Sequence, residues 1–239
     1  MSNIRVSVCL ATYNGEKFIK EQLESILVQL GDNDEVIISD DHSSDSTLDI
    51  IKKFNDSRVN IFYNNNSRGY TRNFENALKH CKGQYIFLAD QDDKWIEGKV
   101  DSMLEKLRFN DLVVSDALVV NVRLEESKGS HFKLNNVRVG FLNNWIRTRY
   151  IGACMAFSRK LLEKAMPFPS NDKLCAHDYW IANVGEMFFN VEIIEIPFLL
   201  YRRHDDNAST GGEHSKNSFL QKIKVRFYVL LNLFKRWKS

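Results

Sequence analysis

Tyr85-Ile86-Phe87-Leu88-Ala89 runs directly into Asp90-Gln91-Asp92-Asp93. Five apolar or aromatic residues in a row have the length and chemistry of a buried strand. Three carboxylates within the next four residues repel one another, which raises their pKa values and destabilises the fold unless something neutralises them. On a surface loop such a run reads as a solvated acidic turn. At the end of a buried strand, a divalent cation accounts for it better. Oxygen ligands with no His or Cys among them suit Mg2+ or Mn2+ rather than Zn2+, and such a cation keeps positions open for ligand oxygens.

Working outward from this run, strand and helix signals alternate. Val6 to Leu10, Val36 to Ile38, Val59 to Tyr63 and Leu112 to Ser115 are short and rich in β-branched residues. Between them, apolar residues recur at helical spacing: Phe18 to Leu30, Leu48 to Phe54, Phe74 to Cys81 and Ile96 to Leu107. This alternation predicts an α/β fold, a mostly parallel central sheet flanked by helices on both faces. The pattern loosens from Asn121 to Tyr150, where Phe141 and Trp145 sit among polar residues and suggest a structured loop or small lid. Regularity returns with Ile151 to Phe157, followed by helices from about Arg159 and His177 and by the strand Val191 to Ile196. One catalytic domain over 1–214 is expected, with halves at about 1–116 and 117–214, then a tail over 215–239.

The chain has 239 residues and a formal net charge of +2. Seven basic residues and no acidic one fall between Ser215 and Ser239, leaving about −5 on the remainder. The basic character belongs to the tail, and a nucleic-acid partner loses its main support. Phe219, Ile223, Phe227, Leu230, Leu231 and Phe234 recur there at helical spacing. A basic amphipathic helix suits an anionic membrane surface; packing on the domain or on a second subunit is the alternative. Cys9, Cys81, Cys154 and Cys175 form no CxxC pair and read as buried thiols of a reducing compartment. The start of the chain shows no secretory leader, and no apolar run approaches the length of a membrane span. The expected location is cytoplasmic, with peripheral attachment to the inner face of the cell membrane.

Ligands of an open parallel sheet sit beyond the carboxyl ends of its strands. Four polar clusters fall there: Thr12-Tyr13-Asn14, Asp40-Asp41, the loop from Asn66 to Asn73, and Asp90 to Asp93. Asp41 either caps the following helix or accepts hydrogen bonds from a ribose or base. Arg72 either reaches donor phosphates or lies on the surface. Trp95 and Trp180 either stack on a sugar or pack the core.

Taken in order, Val8 to Gly15, Ile37 to Thr47 and Tyr85 to Asp93 resemble the inverting family-two glycosyltransferases of GT-A fold. Ile151 to Arg159, His177-Asp178-Tyr179-Trp180 and Tyr201 to Ser209 look like the later motifs of a bacterial rhamnosyltransferase-like subset. The resemblance runs from about Arg5 to Ser209. It implies a nucleotide diphosphate sugar (UDP-, GDP- or dTDP-linked) as donor and a saccharide acceptor, lipid-linked, in surface polysaccharide synthesis such as O-antigen or capsule. It implies nucleotide-sugar contacts at Ala11, Tyr13, Asp41, Asp90, Gln91 and Arg202, with Arg72 as a further candidate. Asp92 would be the main metal ligand, joined by Asp90 and His204, and the metal Mn2+ or Mg2+. Asp178 would be the one base that inversion requires, with His177 where the family usually has a glutamate. Asp93 has no assigned role, and Arg203 shares the diphosphate reading with Arg202. The rivals are a sugar-1-phosphate nucleotidyltransferase, whose Gly-rich phosphate loop Ala11 to Gly15 lacks, and a non-catalytic sugar- or nucleotide-binding protein.

Overall fold

A computed structural model describes residues 4–125, 127–204 and 218–237. The expected boundary at 214/215 and the motif beyond His204 lie outside the described residues. Strands β1 (Val6–Thr12), β2 (Asp34–Asp40), β3 (Val59–Tyr63) and β4 (Tyr85–Asp90) alternate with helices α1 (Ile19–Leu27), α2 (Thr47–Lys53) and α3 (Tyr70–His80). Then come β5 (Lys94–Trp95), α4 (Lys99–Leu107), β6 (Leu112–Val120), β7 (Ser127–Ser130), α5 (His131–Asn135) and α6 (Phe141–Arg147). Strand β8 (Met155–Ser158), α7 (Arg159–Ala165), α8 (His177–Phe188), β9 (Val191–Arg202) and α9 (Phe219–Trp237) complete the described chain.

The sheet runs β3-β2-β1-β4-β8-β6-β9-β5, with β7 on β6. Pairing is parallel among β1 to β4 and between β6 and β9. It is antiparallel at β4–β8, β6–β8, β5–β9 and β6–β7, so the second half of the sheet is mixed rather than parallel. The chain starts in the middle at β1, builds outward to β3, and returns to lay β4 on the other side of β1. That reversal opens a crevice at the carboxyl ends of β1 and β4. Ala11 pairs with Asp90 there, which fixes where the acidic run emerges.

Buried polar groups tie the opposite ends of these strands. The Ser7 hydroxyl donates to Glu35 Oε1 (2.6 Å) and accepts from the Gly83 amide (2.7 Å), while the Lys82 amide reaches the same Glu35 oxygen (2.7 Å). Gly83 is needed for this close approach: a Cβ there would lie 2.5 Å from the Ser7 nitrogen.

The described residues of the loose stretch are held by two acids, Asp116 and Glu186. Asp116 accepts from the Phe132 amide (2.9 Å) and from the Ser130 hydroxyl, pinning β7 and α5. Glu186 of α8 accepts from the Gly140 amide (2.9 Å), the Asn144 side chain (2.9 Å) and the Tyr150 hydroxyl (2.6 Å), pinning α6. Helix α9 docks on the same region through buried Val229 and Leu233, and Trp145 Nε1 donates to its Arg226 carbonyl (3.0 Å). All four cysteines are buried free thiols. Trp95 and Trp180 are buried in the core.

Gly83→Ala pushes a methyl into backbone that cannot yield, so it is expected to lower unfolding free energy by about 1–3 kcal/mol. A urea melt measures this, and an unchanged midpoint would contradict the close-approach account.

Candidate active site

One cleft of about 1230 Å³ opens at the β1/β4 switch point. Eight of the residues singled out from the sequence line it: Ala11 and Tyr13 after β1, Asp41 after β2, Asp90, Gln91 and Asp92 after β4, Asp178 on α8, and His204 after β9. They come from the carboxyl ends of β1, β2, β4 and β9 and from the first turn of α8, as expected where loops at the carboxyl edge converge.

The acidic run divides its carboxylates between cleft and interior. Asp92 Oδ2 meets His204 Nε2 at 2.8 Å on the cleft wall. The Asp90 carboxyl is pushed up to about 7, first by burial and then by the charges of Asp92 and Asp178. Asp93 turns inward and is fully buried, where its Oδ1 accepts from the Arg202 amide (3.0 Å). Burial, then Asp92 and Asp90, raise its pKa well above the usual carboxylate range.

Two buried cations answer this charge from behind. Lys99 is fully buried, donates to the Ala153 carbonyl (2.6 Å) and lies over the Trp95 ring. Burial pulls its pKa down to about 8, while Asp93 and Asp90 oppose that pull. The Arg202 guanidinium donates to the Asp92 carbonyl (2.7 Å), the Val122 carbonyl and Glu21, and rests on the Phe18 ring. Phe18 in turn packs against His204, with ring centroids 5.0 Å apart. Arg202 braces the acidic loop and does not line the cleft, so its expected contact with donor phosphates is corrected. Arg203 lies over the Tyr201 ring.

Arg72 is corrected likewise. Its guanidinium pairs with Glu75 (2.6 Å) and donates to the Pro169 and Ser170 carbonyls, joining α3 to the segment after α7. Gln91 lines the cleft, but its amide clips the Tyr13 backbone, accepting from Tyr13 N (2.9 Å) and donating to Tyr13 O (2.9 Å). A Cβ on Gly15 would strike that amide, at 2.3 Å from Gln91 Oε1. Asp41 does not cap α2. Its oxygens accept from the Asn64 side chain (2.8 Å) and the Gly69 amide (2.9 Å), fixing the loop after β3 at the cleft.

The sequence singles out Asn73 only as the end of a polar loop, and it does not assign the α9 residues of the lining to the cleft at all. Asn73 donates to the Thr12 carbonyl (3.0 Å), and Lys222, Val225 and Arg226 bring α9 into the cleft wall. The tail spacing signalled an amphipathic helix, but nothing in it signalled which wall the helix covers. His177 stacks on Phe74 (4.1 Å between centroids), and neither ring nitrogen has a hydrogen-bond partner among the described residues. Burial lowers its pKa, against the raising influence of Asp178. Among the described residues, no three His, Cys, Asp or Glu side chains gather closely enough to bind a metal by themselves. Asp92 and His204 fit a cation that takes its other ligands from a bound molecule.

Comparison with known proteins finds glycosyltransferases. The glucosyltransferase WfaP of Escherichia coli, described as UDP-Glc:alpha-D-GlcNAc-diphosphoundecaprenol beta-1,3-glucosyltransferase, is 41% identical over 99 residues. That match covers 41% of this chain and 39% of WfaP, so the chain aligns with less than half the length of that relative. The dTDP-rhamnosyl transferase RfbG of Shigella flexneri is 28% identical over 211 residues, covering 83% of this chain and 72% of RfbG. The crystal structure of S. aureus TarS 1-349 with UDP-GlcNAc superposes with a TM-score of 0.73 at 21% identity, over 95% of this chain and 67% of TarS, and shares the fold. The description of Glycosyl transferase family 2 matches residues 7–166, about two-thirds of the chain. The chain belongs to glycosyl transferase family 2.

Proposed function

We propose that this protein transfers a sugar, with inversion, from a nucleotide diphosphate donor to a hydroxyl of a lipid-linked saccharide in bacterial surface polysaccharide synthesis. The observation that carries the proposal is that Asp178 and the Asp92–His204 pair line one and the same cleft at the β1/β4 switch point. The activities of WfaP, named for UDP-Glc, and of RfbG, named a dTDP-rhamnosyl transferase, support the donor class. Family membership favours transfer over the nucleotidyltransferase alternative.

In this reading, Asp41, Ala11 and Tyr13 seat the nucleoside at the ends of β1 and β2. Asp92 and His204, with Asp90 beside them, would hold Mn2+ or Mg2+, and the cation would supply positive charge to the diphosphate leaving group. Asp178 accepts the proton of the attacking acceptor hydroxyl, and one base suffices for in-line displacement. Asp178 lies in the first turn of α8, a position where the helix dipole favours a carboxylate. The Gln91–Tyr13 clip keeps the loops after β1 and β4 at fixed separation, which orients donor against base. No described helix is long and apolar enough to cross a membrane, so attachment to the inner membrane face would run through the basic helix α9.

Asp178→Asn keeps the shape of the side chain and removes its basicity. Turnover is expected to fall about 10²–10⁴-fold, while calorimetry with UDP and Mn2+ still detects donor-site binding. Wild-type turnover by this variant would overturn the assignment of the base. The donor site has its own test in thermal unfolding with UDP, GDP and dTDP, each with Mn2+ and with EDTA. One diphosphate is expected to raise Tm only when the metal is present, since a ligand bound to the native state alone stabilises it. Equal Tm in every condition would instead favour a fold that has lost its donor site.

A further inference from the structure

Helix α9 has two faces, and the domain covers one. Val229 and Leu233 are buried, and Tyr228 reaches the Asn171 amide through its hydroxyl (2.9 Å). Phe219, Leu220, Ile223, Phe227, Leu231 and Phe234 are left 46–77% exposed. At α-helical spacing these six side chains fall within an arc of about 120°. Exposed Lys224 and Lys235 lie together along one edge of that arc, and the helix contains no acidic residue.

A second exposed apolar pair adjoins it. Leu142 and Ile146 stand one turn apart on α6, 66% and 53% exposed. The end of α6 is bolted to α9: Arg226 Nε donates to the Ile146 carbonyl (2.9 Å), and Trp145 Nε1 donates to the Arg226 carbonyl (3.0 Å). Glu186 fixes the start of α6 to the core. Both helices also wall the cleft, α6 through Ile146 and α9 through Lys222, Val225 and Arg226.

We infer that α6 and α9 together form one rigid seat for an anionic bilayer, and that this seat aims the cleft at a lipid-borne acceptor. The inference rests on the proposed lipid-linked acceptor and adds to the tail helix a second element and a fixed orientation. The occupant follows from charge. A broad apolar arc edged by lysines, with no carboxylate, fits acyl chains beneath anionic headgroups. A second copy docked helix to helix would set the same lysines against each other. Because the seat and the cleft share two helices, a chain that binds the surface presents its acceptor side to the membrane without a further motion.

The test is sedimentation of the full chain with vesicles of phosphatidylcholine alone or in equal parts with phosphatidylglycerol. Phe227→Glu, Leu142→Glu and the remote control Phe109→Glu are compared, each first checked for an unchanged Tm. Binding is expected only to the anionic vesicles, reduced roughly fivefold or more by each of the first two changes and untouched by the control. If Phe227→Glu abolishes binding while Leu142→Glu binds like wild type, the composite seat is overturned and attachment through the tail helix alone survives. If the wild type binds neither vesicle, both readings fall. A concentration-dependent dimer that Phe227→Glu dissociates would name a second copy as the occupant and overturn the bilayer.

Discussion

Three carboxylates emerging from one buried strand must be held against their own repulsion, and the architecture of the site follows from how this is done. Lys99 lies beneath them in the core and Arg202 behind them at the end of β9. With charge supplied from the interior, the three acids take separate tasks. Asp93 faces inward and fastens β9 to the loop through the Arg202 amide. Asp92 faces the cleft beside His204. Asp90 stands between Asp92 and Asp178 and feels both charges. A buried cation lacking its partner acids, or the reverse, is strongly unfavourable, so these groups are mutually dependent.

The sheet order places this charged knot where it can act. Because β4 lies beside β1 and not beside β3, the acidic run faces the loop that carries Tyr13, and Gln91 closes the gap between them. Asp41, one strand further out, is held by Asn64 and Gly69 so that its position depends on the loop after β3. Every element of the first half therefore contributes to the same edge. The mixed second half contributes differently: α8 brings Asp178, β9 brings His204, and α9 closes the far wall.

Much of this was legible because it depends on short-range pattern. Val59–Tyr63 as β3 and the run into Asp90 follow from side-chain chemistry over five or six residues. The convergence of Asp41, Asp92 and Asp178 followed from the rule that strand ends share an edge, together with the family resemblance. What was not legible depends on partners far away in the chain. Arg202 and Glu21 are 181 residues apart, and Arg72 and Ser170 are 98 apart. An arginine's spacing tells that it is cationic, not which carboxylate or carbonyl it will meet. The antiparallel placement of β8 was hidden for a similar reason, since a four-residue apolar run has no direction of its own.

The same division explains the tail. Its helical period was plain, but a helix with apolar residues around much of its circumference can bury one stripe and leave another outside, and only the fold decides which. The proposed cation site at Asp92 and His204 is tested most directly by Mn2+ paramagnetic resonance. With UDP present, free Mn2+ signal is expected to fall on addition of wild-type protein and to fall far less with Asp92→Asn or His204→Gln. Equal loss of signal with all three proteins would contradict the account.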